Sequence, residues 1–405
     1  MTGPDPSSFP VPSSVAEVIT SEGGRVTFAR FMEIALTHPT VGYYSRADRL
    51  LGYGGDFNTA PSMSPFFTRT LALLVTELVD AALEAATEST HDARSEMPPT
   101  GLPGVVELGG GEGHLAEGVL QFWQSERPDL CGKVTYRLVE VGEGLRLRQR
   151  AAVEQMMAAG WAVGWGADLR EACTGTRPVV VVGNEFLDTV PVHVLHAGGD
   201  VLREEYVTVA GSGLEQTWGE VSDRAAAEVG LLFGTLDPER LQVFTTDGIL
   251  EVSPGLGDLT RQVAEVMPSG SLAIVDYGEW FDRAAEAGRG GTAVRHRRSV
   301  RGYFKHQLVA DPLARAGRQD LTADVDFAAL DVHGRRDGFE TVVFTSLAAF
   351  LRGGGAEDEL RMLRAAIAEG GADVLEADRQ ATVLENLLNE SDLGSAFKVM
   401  VLVRD

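Results

Sequence analysis

The fold is decided by the stretch Val105-Val106-Glu107-Leu108-Gly109-Gly110-Gly111-Glu112-Gly113-His114-Leu115. A β-branched run ends in an acid, a glycine-rich turn follows, and an apolar helical pattern begins. Glycines at Gly109, Gly111 and Gly113 allow a sharp turn and let a ligand lie against bare main chain. The N-terminus of the next helix offers free N–H groups to an anionic group. The stretch therefore predicts a strand, a ligand-binding turn and a helix.

The ligand of this turn is predicted from its charge. Glu107 can hold a cationic amine and the helix start can hold a carboxylate, a combination that fits S-adenosylmethionine. A dinucleotide competes, but its Gly-x-Gly-x-x-Gly/Ala pattern fails from Gly109 because the sixth residue is His114. Counted from Gly111, the pattern is met only with Ala116 as its sixth residue, and the turn would then start late. The methyl donor is favoured, with a nucleotide and a turn without a ligand left as alternatives.

Composition sets the broad class. The chain has 405 residues, a formal net charge of −24 and 44% hydrophobic residues. The acidic balance argues against binding to nucleic acid or to an anionic membrane, because phosphates require excess Lys and Arg. Two cysteines give no disulfide framework, and no apolar run reaches the roughly 18 to 20 residues that span a bilayer. We expect a cytoplasmic protein, and a homodimer remains open.

Strand patterns dominate the chain from Gly104 onward. The predicted strands are Val105–Leu108, Val134–Val141, Trp161–Trp165, Val179–Val182, Leu272–Asp276, Phe339–Phe344 and Phe397–Val403. Seven strands with intervening helices predict an α/β fold with a doubly wound sheet. One of these helices is predicted at Gly144–Ala159.

Two regions are predicted. Residues 1–103 form an N-terminal helical and loop region with a linker, which we expect to cover the active site. Residues 104–405 form the core, with insertions near 192–245 and 283–335. The first insertion contains a predicted hairpin, Val192–Leu195 with Val201–Val209. Its His193 and His196 are three apart in a strand and point to opposite faces, so no metal site is predicted.

The carboxyl ends of the predicted strands carry polar residues, and ligands of open α/β sheets bind there. Glu140 ends the second strand and can accept both ribose hydroxyl hydrogens. Asp168 follows the third strand and can accept from an adenine amino group. The fourth strand is followed by Asn184, which we expect to contact the cofactor, and by Glu185 and Asp188. For each of these, a solvated strand-end polar residue is the alternative interpretation.

Methyl transfer requires that an acceptor be positioned and, where needed, deprotonated. Glu185 and Asp188 are the first candidates, since paired carboxylates can grip a guanidinium or act as a base. Tyr277, after the fifth strand, and His306 are the next candidates. Each of these two also has a packing explanation.

Four blocks in order resemble a known family, the MidA-type S-adenosylmethionine-dependent methyltransferases. The blocks are Gly55–Pro61, Glu107–Gly113, Asn184–Asp188 with Pro191-Val192, and Asp320–Ala323 with Val325–Phe327. The resemblance covers roughly residues 28 to 403 and implies a class I, Rossmann-like methyltransferase fold. Asp56 and Thr59 of the first block are expected to contact the cofactor, and Asp56 is also a second-tier candidate for the acceptor site. Mitochondrial members of the family dimethylate an arginine of a respiratory complex I subunit during assembly.

Departures from the family pattern leave the acceptor open. The family usually has Pro where this chain has Gly110, and Glu where it has Ser62; its Gly-Thr-Leu-Arg segment reads Gly291–Arg295 here. We expect methyl transfer to a nitrogen, carbon or oxygen nucleophile of a small molecule of natural-product type. The first alternative is arginine in a protein, and the second is a non-catalytic assembly factor that keeps the fold.

Overall fold

The computed structural model describes residues 14–45, 64–89, 101–211, 213–281, 295–305, 307–370 and 373–405. Candidate site residues outside these ranges are Asp56, Thr59 and His306. The strands are β1 (Arg25–Thr27), β2 (Leu102–Leu108), β3 (Thr135–Val139), β4 (Ala162–Gly166), β5 (Thr176–Asn184), β6 (His193–His196), β7 (Arg203–Ala210), β8 (Gly213–Gly219), β9 (Ile249–Val252), β10 (Gly270–Glu279), β11 (Arg301–Phe304), β12 (Gln307–Val309), β13 (Asp320–Thr322), β14 (Val325–Asp326), β15 (Glu340–Ser346) and β16 (Phe397–Arg404).

Helices connect most of these strands. The α-helices are Val15–Ser21, Phe28–Thr37, Pro65–Ser89, His114–Glu126, Glu143–Ala152, Glu154–Ala158, Leu169–Ala172, Asp223–Phe233, Pro238–Gln242, Gly255–Val266, Phe327–Arg336, Leu347–Gly353, Ala356–Glu369, Val374–Leu388 and Leu393–Ala396. Short 3-10 helices lie at Tyr43–Ser45, Pro128–Leu130 and Leu187–Thr189. None of the described helices is long and apolar enough to cross a membrane.

The chain divides into two compact units. One contains the described residues within Met1–Asp48, Pro191–Pro254 and Arg295–Ala323, and the other contains those within Arg49–Val190, Gly255–Val294 and Asp324–Asp405. The helix Pro65–Ser89 therefore belongs to a different unit from the helices that precede it, whereas the sequence placed all residues up to 103 in one region. Its buried side chains explain the grouping, because they join the core of the second unit.

The second unit is built on the sheet predicted from the sequence. Its strand order is β15-β16-β10-β5-β2-β3-β4, and β14 pairs with β10. Neighbours from β10 to β4 are parallel, while β16 runs antiparallel to both β10 and β15. The predicted α/β doubly wound fold is confirmed. Strand order reverses between β2 and β5, and the rule for open α/β sheets puts the ligand site at that reversal.

Apolar runs explain the core of this unit. Val179–Val182 in β5 are all buried, as expected for a central parallel strand covered on both faces. The helix Pro65–Ser89 buries Phe67, Leu71 and Val75 at helical spacing. Trp123 is fully buried in the same cluster, and its indole N–H donates to the hydroxyl of Thr76 at 2.8 Å.

The predicted helix Gly144–Ala159 is two helices, Glu143–Ala152 and Glu154–Ala158. The break lies at Val153, whose backbone angles are φ −96° and ψ 6°. The side chain of Val153 is fully buried although its backbone is not helical. An apolar pattern can continue through such a break, which is why periodicity alone predicted one helix.

The first unit contains two antiparallel sheets. One has the order β1-β7-β6-β9 with β8 added to β7, and the other is β12-β11-β13. The predicted hairpin exists as β6 and β7, paired at Leu195 and Glu204, but it is part of a larger sheet. His193 in β6 is buried and shares a 2.6 Å hydrogen bond with Glu204, while His196 stacks near Trp218.

Candidate functional site

The glycine turn after β2 has the bare backbone that the sequence predicts. Gly109 and Gly111 have φ values of 61° and 51°, in the left-handed region that L side chains rarely adopt. A side chain at Gly109 would also lie 2.6 Å from the ring of Phe186. Gly113 caps the helix His114–Glu126 with no side-chain hydrogen bond. The turn therefore exposes main chain and helix N–H groups to a ligand.

Glu107 ends β2 and is buried. Its Oε2 accepts a hydrogen bond from the hydroxyl of Tyr136 in the neighbouring β3, at 2.8 Å. Burial, opposed by the hydrogen bond from Tyr136 and assisted by the negative charge of Glu140, raises the pKa of this carboxyl to about 7. A cation beside Glu107 would stabilise its ionised form, which fits the predicted contact with an amine.

Glu140 follows β3 and is also buried. Its Oε1 accepts from the backbone N–H of Gly142 at 2.8 Å, and its Oε2 accepts from Nε2 of Gln149 at 3.1 Å. Burial raises the pKa of this carboxyl, against the effect of those two donors. A carboxylate has about four acceptor positions. The carboxylate therefore keeps acceptor capacity for the ribose that is predicted to bind here.

Gln149 was not among the predicted site residues. Its Nε2 also donates to the carbonyl oxygen of Gly111 at 2.9 Å, so one side chain contacts both the glycine turn and Glu140. A sequence signal existed, since Gln149 lies four residues after buried Leu145 in the helix Glu143–Ala152. A polar residue on the apolar face of a helix requires internal hydrogen-bond partners.

Asp168 lies at the exposed start of a short helix. Its Oδ1 accepts from the backbone N–H of Glu171 at 2.8 Å, so it is the N-cap of the helix Leu169–Ala172. Capping accounts for an acid at this position. The predicted contact between Asp168 and an adenine amino group stays a prediction.

The residues after β5 form a strained turn. Glu185 has a φ of 49°, which is uncommon for a residue with a side chain. The amide Nδ2 of Asn184 donates to Oε1 of Glu185 at 3.2 Å. Asn184 Oδ1 is then directed away from that carboxylate; it is buried and has no hydrogen-bond partner among the described residues. An N–H-bearing ligand would satisfy it.

A buried acid in the adjacent strand supports this turn. The Oδ2 of Asp276 in β10 accepts from the backbone N–H groups of Phe186, Leu187 and Asp188, at 3.0, 2.8 and 3.3 Å. Burial raises the pKa of Asp276 well above its ordinary range, and the charges of Asp188 and Glu185 raise it further. Tyr277 donates its hydroxyl hydrogen to Asp188 Oδ2.

The structure thus forms two groups from the predicted site residues in the second unit. The first joins the glycine turn, Glu107 and Glu140, and the second joins Asn184, Glu185, Asp188 and Tyr277, with Asp276 beneath them. The first group lies at the ends of β2 and β3 and the second at the ends of β5 and β10, on the two sides of the reversal between β2 and β5. Of the predicted residues that are described, Asp168 is the one that a structural role already explains.

Comparison with known proteins identifies the class. Residues 94–345 match the model of a family described as "Putative S-adenosyl-L-methionine-dependent methyltransferase". The chain belongs to this methyltransferase family. The enzyme class, the family resemblance and the cofactor predicted from the sequence are therefore confirmed.

Relatives of the methyltransferase agree with this assignment. A Burkholderia thailandensis protein solved with S-adenosyl-homocysteine is 26% identical, with a TM-score of 0.69, covering 96% of this chain and 90% of that chain. The mitochondrial protein arginine methyltransferase NDUFAF7 homolog of Caenorhabditis elegans is 26% identical over 76% of this chain and 68% of its own. Human NDUFAF7 is 25% identical over 81% and 70%. The chain spans about two thirds of the length of these curated relatives.

The residues present fit S-adenosylmethionine. Gly109, Gly111 and Gly113 hold a left-handed backbone directly before a helix N-terminus, Glu107 can pair with an amine, and Glu140 keeps acceptor capacity for ribose hydroxyls. We therefore infer that the glycine turn and Glu107 hold the amino acid part of the cofactor, and that Glu140 holds the ribose.

Proposed function

We propose that the enzyme methylates a guanidinium nitrogen of arginine in a protein. The observation that carries this proposal is the acidic cluster after β5 and at the end of β10, formed by Glu185, Asp188 and Asp276. A guanidinium presents several N–H donors in a planar fork that matches carboxylates. Asn184 Oδ1 adds a neutral acceptor beside Glu185.

The side chains of the acidic cluster have different roles. Asp276 is occupied by backbone N–H groups and holds the turn, while Asp188 accepts from Tyr277. We assign to Glu185, whose Oε1 also accepts from Asn184, the contact with the guanidinium and acceptance of the proton that its nitrogen loses on methylation. Bound S-adenosylmethionine supplies an electrophilic methyl group on a positively charged sulfur. Positioning by Glu185 and Asn184 would bring the acceptor nitrogen in line with that group.

The relatives support the choice of acceptor. The Caenorhabditis elegans and human proteins carry the name protein arginine methyltransferase. From the sequence, a small-molecule acceptor is the first expectation and arginine in a protein is the alternative; the small-molecule acceptor stays a prediction, as does the further alternative of a non-catalytic assembly factor. The predicted cytoplasmic location also stays a prediction, since those two relatives are named mitochondrial.

The test is a methylation assay on a cell extract from the source organism. The extract is divided into protein and small-molecule fractions, and each is incubated with the purified enzyme and S-adenosylmethionine carrying an isotope-labelled methyl group. We expect label on arginine of a protein, located by peptide mass spectrometry. Glu185→Gln is the control for turnover, since it keeps the shape of the side chain and removes its charge. Label confined to the small-molecule fraction, or to residues other than arginine, would contradict the proposal.

A further inference from the structure

We infer that Gln149 is a positioning residue for the cofactor, because it ties the glycine turn to the ribose-binding acid. Its Nε2 donates to the carbonyl oxygen of Gly111 at 2.9 Å and to Oε2 of Glu140 at 3.1 Å. These are the two segments inferred to hold opposite parts of the cofactor. A single amide that uses both of its hydrogens on them fixes the distance between the two.

The orientation of this amide follows from chemistry. The indole nitrogen of Trp165 in β4 lies 2.9 Å from Oε1 of Gln149. An indole N–H can only donate, so the amide oxygen must face it. The NH2 group must then face Glu140 and Gly111, both of which can only accept. No flipped arrangement satisfies the three partners.

Burial indicates that the position is specialised. Gln149 is 0% exposed, although long polar side chains are seldom fully buried. Its backbone also lies against the turn, since a Cβ at Gly113 would be 3.0 Å from its Cα. Every polar atom of the side chain is satisfied by the turn, the acid or Trp165. Apolar packing alone would be served as well by Leu or Met.

Glu140 depends on this contact for its geometry. One of its oxygens is held by the backbone of Gly142 and the other by Gln149, so loss of Gln149 frees the carboxylate to rotate. Arg146 holds only the backbone oxygen of Glu140, at 2.7 Å, and cannot replace the lost donor to the carboxylate. Cofactor affinity should therefore fall even when the fold is intact.

The test measures binding of S-adenosyl-homocysteine by calorimetry, so it needs no turnover and no knowledge of the acceptor. Gln149→Glu has nearly the same shape but has no donor when ionised, and it places a second carboxylate beside Glu140. At pH 8 we expect its dissociation constant to rise by about tenfold or more. Lowering the pH to 6 favours uptake of a proton by the two neighbouring carboxyls, which restores one donor. The ratio of variant to wild-type dissociation constants should then shrink several-fold.

Two further variants make the result specific. Gln149→Met removes the polar atoms and should raise the dissociation constant by a similar factor at both pH values. Gln124→Leu breaks a comparable bond, in which Trp161 Nε1 donates to Gln124 Oε1 at 2.7 Å, away from the turn. It should leave the dissociation constant unchanged. Wild-type affinity in folded Gln149→Glu and Gln149→Met would overturn the inference, as would an affinity loss in Gln149→Glu that does not respond to pH.

Discussion

At the scale of single residues, the cofactor site contains carboxyl groups whose burial disfavours their ionised form. Burial raises the pKa of Glu107 to about 7, above the value of about 4.3 expected in the unfolded chain. Between these two values the folded protein binds the extra proton, so stability is greatest at low pH and falls as pH rises through 7. The cation of a bound cofactor would offset that loss.

Glu107→Gln should remove this dependence, because a neutral amide keeps an oxygen for the hydroxyl of Tyr136. From pH 5 to pH 8, we expect the wild type to lose about 3 kcal/mol of unfolding free energy relative to the variant. Urea denaturation of both proteins without cofactor at the two pH values provides the measurement. Parallel changes in the two proteins would show that Glu107 is ionised throughout.

Gly111 offers a second test at this scale. Gly111→Ala should abolish or strongly weaken binding of S-adenosyl-homocysteine, since a Cβ would occupy the bare backbone of the turn. The matched control is Gly132→Ala, which has a φ of 73° and no neighbouring atom within 4 Å of a Cβ. Both substitutions strain the backbone by about 1–2 kcal/mol. Equal affinities in the two variants would remove Gly111 from the cofactor site.

Sequence reasoning found the residues whose position follows from one strand. Glu107 and Glu140 could be predicted because each ends a strand at the ligand-binding edge of the sheet. The partners of Tyr136 and Gln149 could not be predicted, since they belong to separate elements: a neighbouring strand for Tyr136, and the turn and β4 for Gln149. Periodicity predicts which face of an element is buried but not what that face touches.

At the scale of elements, the turn after β5 combines strain with chemistry. Glu185 adopts a left-handed conformation, and its backbone N–H donates to the carbonyl oxygen of Val275 at 2.9 Å. Backbone strain of this kind costs about 1 kcal/mol or more and clusters at functional sites. The side chain at 185 is therefore kept at a cost in stability.

Two substitutions at Glu185 separate the side chain from the backbone. Glu185→Ala and Glu185→Gly should both lower turnover by roughly 10²-fold, since each removes the carboxylate. Glu185→Gly should be about 1 kcal/mol more stable than Glu185→Ala, because glycine adopts a positive φ without strain. Thermal unfolding and a turnover assay measure the two effects. Equal stabilities would show that position 185 carries no backbone strain, and full turnover would move the acceptor site elsewhere.

Long apolar runs made the central strands predictable, whereas the short or interrupted elements could not be predicted. The strands β11 and β13 lie in the predicted insertion near 283–335 and were not predicted, because they have only four and three residues and gain order from pairing with each other. The break at Val153 was also missed. In each case a tertiary contact outweighs the local pattern.

At the scale of the whole molecule, charge bears on the choice of acceptor. The net charge of −24 creates a negative potential around the protein, which attracts cationic partners and is screened by salt. A basic arginine peptide should therefore bind best at low ionic strength. Binding of the cofactor rests on buried hydrogen bonds and should depend less on salt.

Steady-state kinetics with a basic arginine peptide provide the last test. Between about 50 and 300 mM NaCl, where the Debye length falls from roughly 14 to 6 Å, KM for the peptide should rise several-fold. KM for S-adenosylmethionine should change less, because Glu107 and Glu140 are buried and poorly screened. A peptide in which the flanking Lys residues are replaced by Gln, with the target arginine kept, should show a weaker response. A peptide KM that is independent of salt would favour a neutral acceptor and with it the small-molecule prediction, since an uncharged acceptor gains nothing from the acidic surface.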